Sequence, residues 1–313
     1  MAFSGATRSA SSAKLDAHTR AVLGGTYCEL SDGVTHYRLN GPVDGQLVVL
    51  VHGAVVPHWI WDALADRLSA NGLRVLRYDQ FGRGYSDRPK VAYDRALYER
   101  QLHELVNHLD LQDSFHLVGL SMGGATSVNY TAHHPDCVRR LVLIAPVINN
   151  YKVPLILRIP VAGELALRLV GQRLMRKRFA ELAATLPDFE RVQAKFVEQT
   201  TYKGFQRSFL SMTRNDALGN YDAVYRIAGR QDRETLLIWG EKDAEISAEM
   251  IADVRRFMPN LHFRPVAEAG HGIVLEKPDL VNDWVLGFLA AKTALEDDAP
   301  QQCEKSWVEP AQG

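Results

Sequence analysis

The chain has 313 residues, a hydrophobic fraction of 46% and a formal net charge of −1, with 36 Lys+Arg against 37 Asp+Glu. That length suits one large α/β domain carrying an insertion, or two domains, and the balanced charge excludes the basic footprint of a nucleic-acid partner. No run of about 18 apolar residues offers a membrane-spanning helix. Cys28, Cys137 and Cys303 are scattered. Such a set suggests neither a metal site nor a disulfide framework and fits a reducing compartment better. Residues 1–13 are Ser/Ala-rich without an apolar core, unlike a secretory signal, so a cytoplasmic location is the expectation.

Taken in order, residues 1–24 read as a flexible tail. Residues 27–30 and 35–39 read as strands around Ser31-Asp32-Gly33, a hairpin signal. Residues 46–51 form a third strand, apolar on both faces and therefore central, ending in His52-Gly53-Ala54-Val55. A helix over 59–69 closes at Asn71-Gly72, and a strand over 73–78 leads into the glycine-rich loop Asp79-Gln80-Phe81-Gly82-Arg83-Gly84-Tyr85-Ser86. A helix over 94–109 precedes a strand over 115–118, and a further strand covers 140–145. The rhythm then changes. From 147 to 218 the pattern is helical and broken by Pro154, Pro160, Gly163, Gly171, Pro187 and Gly204. Alternation resumes with strands over 235–239 and 261–266, and helices over 247–258 and 278–291, before a polar tail from 293. Strands alternating with helices predict an α/β fold with a mostly parallel, doubly wound sheet. The core is expected over 25–146 and 219–292, with 147–218 a helical cap above the strand C-termini.

The stretch Phe115 to Gly124 organises the rest. A short apolar strand runs directly into Gly119-x-Ser121-x-Gly123, and a helix follows to His133. In that context G-x-S-x-G is a nucleophile elbow, with a strained serine at the turn and small residues where strand and helix approach. A serine hydroxyl needs a base, and the base needs an orienting group. On a doubly wound sheet both come from loops at the carboxyl ends of strands. Trp239-Gly240-Glu241-Lys242-Asp243 offers Asp243 as the acid, with Glu241 its competitor. Ala269-Gly270-His271-Gly272 offers the base, because among eleven histidines only His271 combines a strand-end loop, flanking glycines and a position beyond the acid. The oxyanion would be held by the backbone N–H of Met122 and by that of Ala54, with Val55 the runner-up. His52 reads as structural, bonding the backbone of its own loop.

These stretches, in this order, resemble the α/β-hydrolase fold superfamily over about residues 25–292, in its capped, serine esterase- and lipase-like subgroup. The resemblance implies an eight-stranded sheet, a helical cap after the sixth strand, no cofactor and no metal. Serine at position 121 disfavours epoxide hydrolase or dehalogenase activity, which use aspartate there. C–C bond hydrolases share Ser121-Met122-Gly123-Gly124 but usually carry Asn in place of Leu120 and a glycine-rich loop in place of Ala54-Val55-Val56-Pro57. Hydrolysis of hydrophobic or medium-size carboxylic esters is therefore the expectation. C–C cleavage of dienone acids, perhydrolase or haloperoxidase-like chemistry, and a non-catalytic ligand receptor are the alternatives.

The substrate pocket is expected among Val55, Val56, His58, Trp59, Met122, Ile273 and Val274, a mostly apolar set. In the insertion, residues 164–179 interleave Leu165, Leu167, Leu169, Val170, Leu174 and Met175 with Arg168, Arg173, Arg176, Lys177 and Arg178. That pattern suits a solvated face over a buried stripe, or peripheral contact with an anionic membrane. Oligomeric state is left between monomer and homodimer.

Overall fold

The structure is a computed structural model, which describes residues 13–111, 114–149, 151–183 and 189–291. Eight strands form one sheet: β1 Thr26–Leu30, β2 Gly33–Asn40, β3 Leu47–Val51, β4 Arg74–Tyr78, β5 Phe115–Leu120, β6 Val138–Ile144, β7 Thr235–Gly240 and β8 His262–Val266. Their order across the sheet is β1-β2-β4-β3-β5-β6-β7-β8. β1 with β2, and β2 with β4, pair antiparallel, as the leading hairpin predicts; all other pairs are parallel.

Every residue of β3 is buried, and its alternation divides the core. Leu47, Val49 and Val51 face one side, packed with Leu102 and Val106 of the helix Arg95–His108 and with Val128 of the helix Met122–His133. Val48 and Leu50 face the other, against Trp61, Leu64 and Leu68 and against Val281, Val285 and Leu289 of the last helix, Pro278–Ala290. Burial on both faces makes β3 a continuous apolar run. β8, by contrast, is an edge strand in which only Val266 is buried.

Connections leave β3 toward β4 on one side and β5 toward β6 on the other. The carboxyl ends of β3 and β5 therefore flank a topological switch point, where open α/β sheets leave a crevice. Between β6 and β7 lie the helices Leu155–Arg158, Ala162–Ala166, Gln172–Ala183, Phe189–Thr201 and Phe205–Arg214, an insertion in the strand–helix alternation, with a π-helical turn at Leu167–Gly171. Phe179, Val192 and Phe196 make a small core there that touches Val55, Val56 and Trp59.

Three features depart from the sequence reading. A helix, Ala17–Leu23, lies in the expected tail, capped by Asp16, whose Oδ1 accepts from Thr19 N at 2.9 Å, and tied down by Arg20 to Asp87 at 2.5 Å. A helix Asp222–Ala228 follows the insertion, its Val224, Tyr225 and Ala228 buried on the elbow side of the core. Cys28 is a buried free thiol, whereas Cys137 is disulfide-bonded, against the expectation that the cysteines suggest no disulfide framework. Sequence spacing carries no information on which thiols meet in space. The tail from 293 lies outside the described residues.

Candidate active site

Ser121 directly follows β5 and caps the helix Met122–His133 with φ 54° and ψ −120°. A non-glycine residue in that region stores about 1–3 kcal/mol of strain. The glycines around it are required by contact. A Cβ on Gly119 would sit 2.4 Å from Gly123 O, and one on Gly123 would sit 2.3 Å from Val51 O. Strand and helix can meet this closely only with hydrogen at both positions.

Asp243 and His271 come from the loops after β7 and β8. Asp243 is buried, and its Oδ1 accepts the N–H groups of Glu245 at 2.8 Å and Ile246 at 2.9 Å. Its Oδ2 accepts from His271 Nδ1 at 2.8 Å. The carboxylate offers only lone pairs, so the ring hydrogen belongs on Nδ1 and Nε2 is left as an acceptor. Nε2 lies 3.1 Å from Ser121 Oγ, which donates to it. Side chains from positions 121, 243 and 271 thus form one continuous hydrogen-bonded relay. Glu241 is exposed and takes no part in it.

The electrostatics favour a proton on His271. Burial works against the cation, but the Asp243 hydrogen bond and charge, with Glu245 and Glu276 adding to them, outweigh it and raise the imidazole above its ordinary value. Glu245, absent from the sequence reading, places Oε2 3.8 Å from His271 Nε2 and accepts Tyr151 OH at 2.9 Å. Glu276 accepts Gly270 N–H at 2.7 Å, fixing the glycine before His271. Both acids sit on ordinary-looking sequence, and only the fold brings them to the imidazole.

The loop after β3 runs against the serine: a Cβ on Gly53 would lie 3.3 Å from Ser121 Cβ. Met122 opens its helix, so its N–H has no partner within that helix. The amides of Ala54 and Val55 donate to no backbone acceptor among the described residues. His52 Nδ1 donates to Gly53 O at 2.7 Å and Nε2 accepts Gln80 N–H at 2.9 Å, while burial pushes its pKa down to about 4. It is a neutral loop fastener, as the sequence suggests.

The expected pocket residues divide. Val55, Val56 and Trp59 are partly exposed and meet the insertion, with Trp59 edge-on to Phe179 at 5.8 Å. Met122 is fully buried beneath the serine. His58 does not face a pocket. Its Nδ1 donates to Asp79 Oδ1 at 2.8 Å, and His36 Nδ1 donates to Asp79 Oδ2 at 2.8 Å. Burial would raise the Asp79 pKa, but these two imidazoles outweigh it and hold the carboxyl well below its usual range. Ile273 and Val274 begin a short helix, Ile273–Glu276, that turns them into the core beside Trp61 and Val281, so they too are corrected from lining to packing. A separate cleft of about 330 Å³ among Glu164, Leu210, Ser211 and Arg214 includes none of the three relay residues.

A putative non-heme chloroperoxidase of Synechocystis sp. is 29% identical over 258 residues, covering 78% of this chain and 91% of that protein. A carboxylesterase of Bacillus subtilis is 27% identical over 268 residues, covering 84% of this chain and 86% of its own. The enol-lactonase of Burkholderia xenovorans superimposes with a TM-score of 0.72 at 21% identity, over 85% of this chain and 100% of that one, which speaks for a shared fold. With its eight-stranded sheet and a family match spanning residues 46–278, the chain belongs to the α/β hydrolase fold family.

Proposed function

We propose that this hydrolase cleaves carboxylic esters of hydrophobic or medium-size acyl groups through a Ser121-His271-Asp243 triad. One observation carries the reading: His271 bridges a strained, nearly buried serine and a buried carboxylate, at 3.1 Å and 2.8 Å. His271 Nε2 takes the Ser121 proton as Oγ attacks the acyl carbon. The resulting oxyanion is held by Met122 N–H and by Ala54 or Val55 N–H, each donor worth about 3 kcal/mol in the transition state. The imidazolium, stabilised by Asp243, passes its proton to the leaving alcohol. Water, activated by the same imidazole, then releases the acyl group and restores the serine.

In the test, Ser121→Ala abolishes hydrolysis of p-nitrophenyl acyl esters and fluorophosphonate labelling while the protein stays folded. Retained turnover would end the proposal. The chloroperoxidase relative supports a second reading on the same residues, in which hydrogen peroxide replaces water and the acyl group leaves as a peracid. Product analysis with and without peroxide separates the two.

Peripheral contact with an anionic bilayer through the insertion belongs to the same proposal. Among the described residues, most of the exposed large apolar side chains fall between Leu155 and Leu174, including Leu165, Leu169, Val170 and Leu174. Arg158, Arg168, Arg173 and Lys177 are exposed around them. Sedimentation with phosphatidylglycerol vesicles, lost in Leu165→Glu/Leu169→Glu and in high salt, is the expected result. Equal binding to neutral vesicles, or a dimer that buries this face, would refute it.

A further inference from the structure

Three successive carbonyls after β3 are each held by a side chain from a different part of the chain. His52 Nδ1 donates to Gly53 O at 2.7 Å, Arg83 Nε donates to Ala54 O, and Gln199 Nε2 donates to Val55 O at 2.9 Å. No peptide bond in the described chain is cis, so each N–H points opposite the carbonyl of its own plane. Holding Gly53 O therefore aims Ala54 N–H, and holding Ala54 O aims Val55 N–H. These are the two amides that compete for the oxyanion.

Arg83 and Gln199 are unusual choices if packing alone is at stake. Arg83 is completely buried, with no carboxylate in ion-pair range among the described residues. Its remaining contacts are Gly82 O at 3.0 Å, Ser208 Oγ at 3.3 Å, Met212 Sδ at 3.1 Å and the faces of Phe205 and Phe209. Burying an unpaired cation is costly, and an apolar side chain of similar volume would fill the space without that cost. Gln199, on the insertion helix Phe189–Thr201, is also buried, and its Oε1 accepts Gly84 N–H at 3.2 Å. It thus ties the oxyanion loop, the Arg83 loop and the insertion together.

We propose that Arg83 and Gln199 are positioning residues for the oxyanion loop, and that the insertion supplies part of that loop's geometry through Gln199. The inference rests on the serine-hydrolase reading above. Arg83 does two things: it fixes the 54–55 peptide plane, and its charge polarises that peptide so that Val55 N–H becomes a stronger donor. A positive charge on the carbonyl side of that peptide also favours the oxyanion over the neutral carbonyl from which it forms.

The test uses the full chain with Arg83→Met, Arg83→Lys, Gln199→Leu and Ser121→Ala. Four readouts are needed: steady-state hydrolysis of p-nitrophenyl butyrate, the rate of fluorophosphonate labelling, inhibition by a trifluoromethyl ketone whose serine adduct carries the oxyanion, and thermal melting. Arg83→Met is expected to lose about 10–100-fold in kcat with KM within about twofold, with ketone affinity and labelling rate falling in parallel. Arg83→Lys recovers part of the loss, and Gln199→Leu loses about tenfold by the same signature. Variants that melt earlier but keep wild-type kcat, labelling rate and ketone affinity would overturn the inference and leave both residues as structural props. Wild-type turnover or labelling in Ser121→Ala would instead overturn the serine-hydrolase reading beneath it.

Discussion

Replacing Asp243 with Asn is the sharpest test of the relay, because the structure dictates how the new amide must sit. Oδ1 of Asp243 accepts two backbone N–H groups, from Glu245 and Ile246, at 2.8 and 2.9 Å. An Asn NH₂ in that position would put donor against donor, so the Asn oxygen must take it. The NH₂ then occupies the place of Oδ2, 2.8 Å from His271 Nδ1. A donor there forces Nδ1 to become the acceptor and moves the ring hydrogen to Nε2, facing Ser121 Oγ. The imidazole can no longer receive the serine proton. Such a tautomer switch costs about 10⁴-fold in kcat, or roughly 5 kcal/mol of barrier. Folding should be little affected, since both backbone bonds to Oδ1 survive. The assay is kcat for p-nitrophenyl butyrate on the pH plateau, beside the melting temperature. A variant that keeps more than about a tenth of the wild-type rate would refute the orienting role of Asp243.

Other outcomes follow from the same geometry. In the proposed mechanism His271 must be neutral to accept the serine proton, and its pKa is raised above the ordinary histidine value, so the acid limb of kcat/KM is displaced toward higher pH. Glu245→Gln removes a negative charge 3.8 Å from His271 Nε2, and a pH-rate profile should show that limb moving to lower pH; an unmoved limb would dismiss the coupling. Asp79→Asn leaves too few acceptors for the two imidazoles, His58 N–H and Tyr85 N–H that converge on it. Urea denaturation should report a loss of about 3 kcal/mol, and a loss under about 1 would contradict that account. Gly123→Ala places a methyl 2.3 Å from Val51 O and 2.4 Å from His52 O, both immovable backbone. It should cost about 2–3 kcal/mol, read in the same way.

What the sequence made legible was local. Gly119-x-Ser121-x-Gly123 after an apolar strand names its own turn, because glycine at both positions avoids the clashes that a Cβ on Gly119 or Gly123 would meet. Asp243 was readable because it follows an almost wholly apolar strand, and His271 because glycines flank it in a strand-end loop beyond that acid. Gln199 was not readable, since it reaches Val55 O across 144 residues and nothing in its helix marks it apart. Arg83 looks like one more charged residue in a glycine-rich loop. His58 and Ile273 sit beside the site in the chain yet turn away from it, one drawn to the buried Asp79 and the other into a short helix against the core. Proximity along the chain cannot rank those alternatives. The helix Ala17–Leu23 has no buried residue, so no apolar period announces it.

The proposed general base hangs from the outermost rung of the scaffold. The serine projects from β5 at the centre of the sheet, whereas His271 follows β8, a border strand paired only with β7 and largely open to solvent. Border strands fray before interiors melt. On warming, this protein should therefore fall silent while its core is still intact, and firmer anchoring of that one border would extend its working temperature without touching the chemistry.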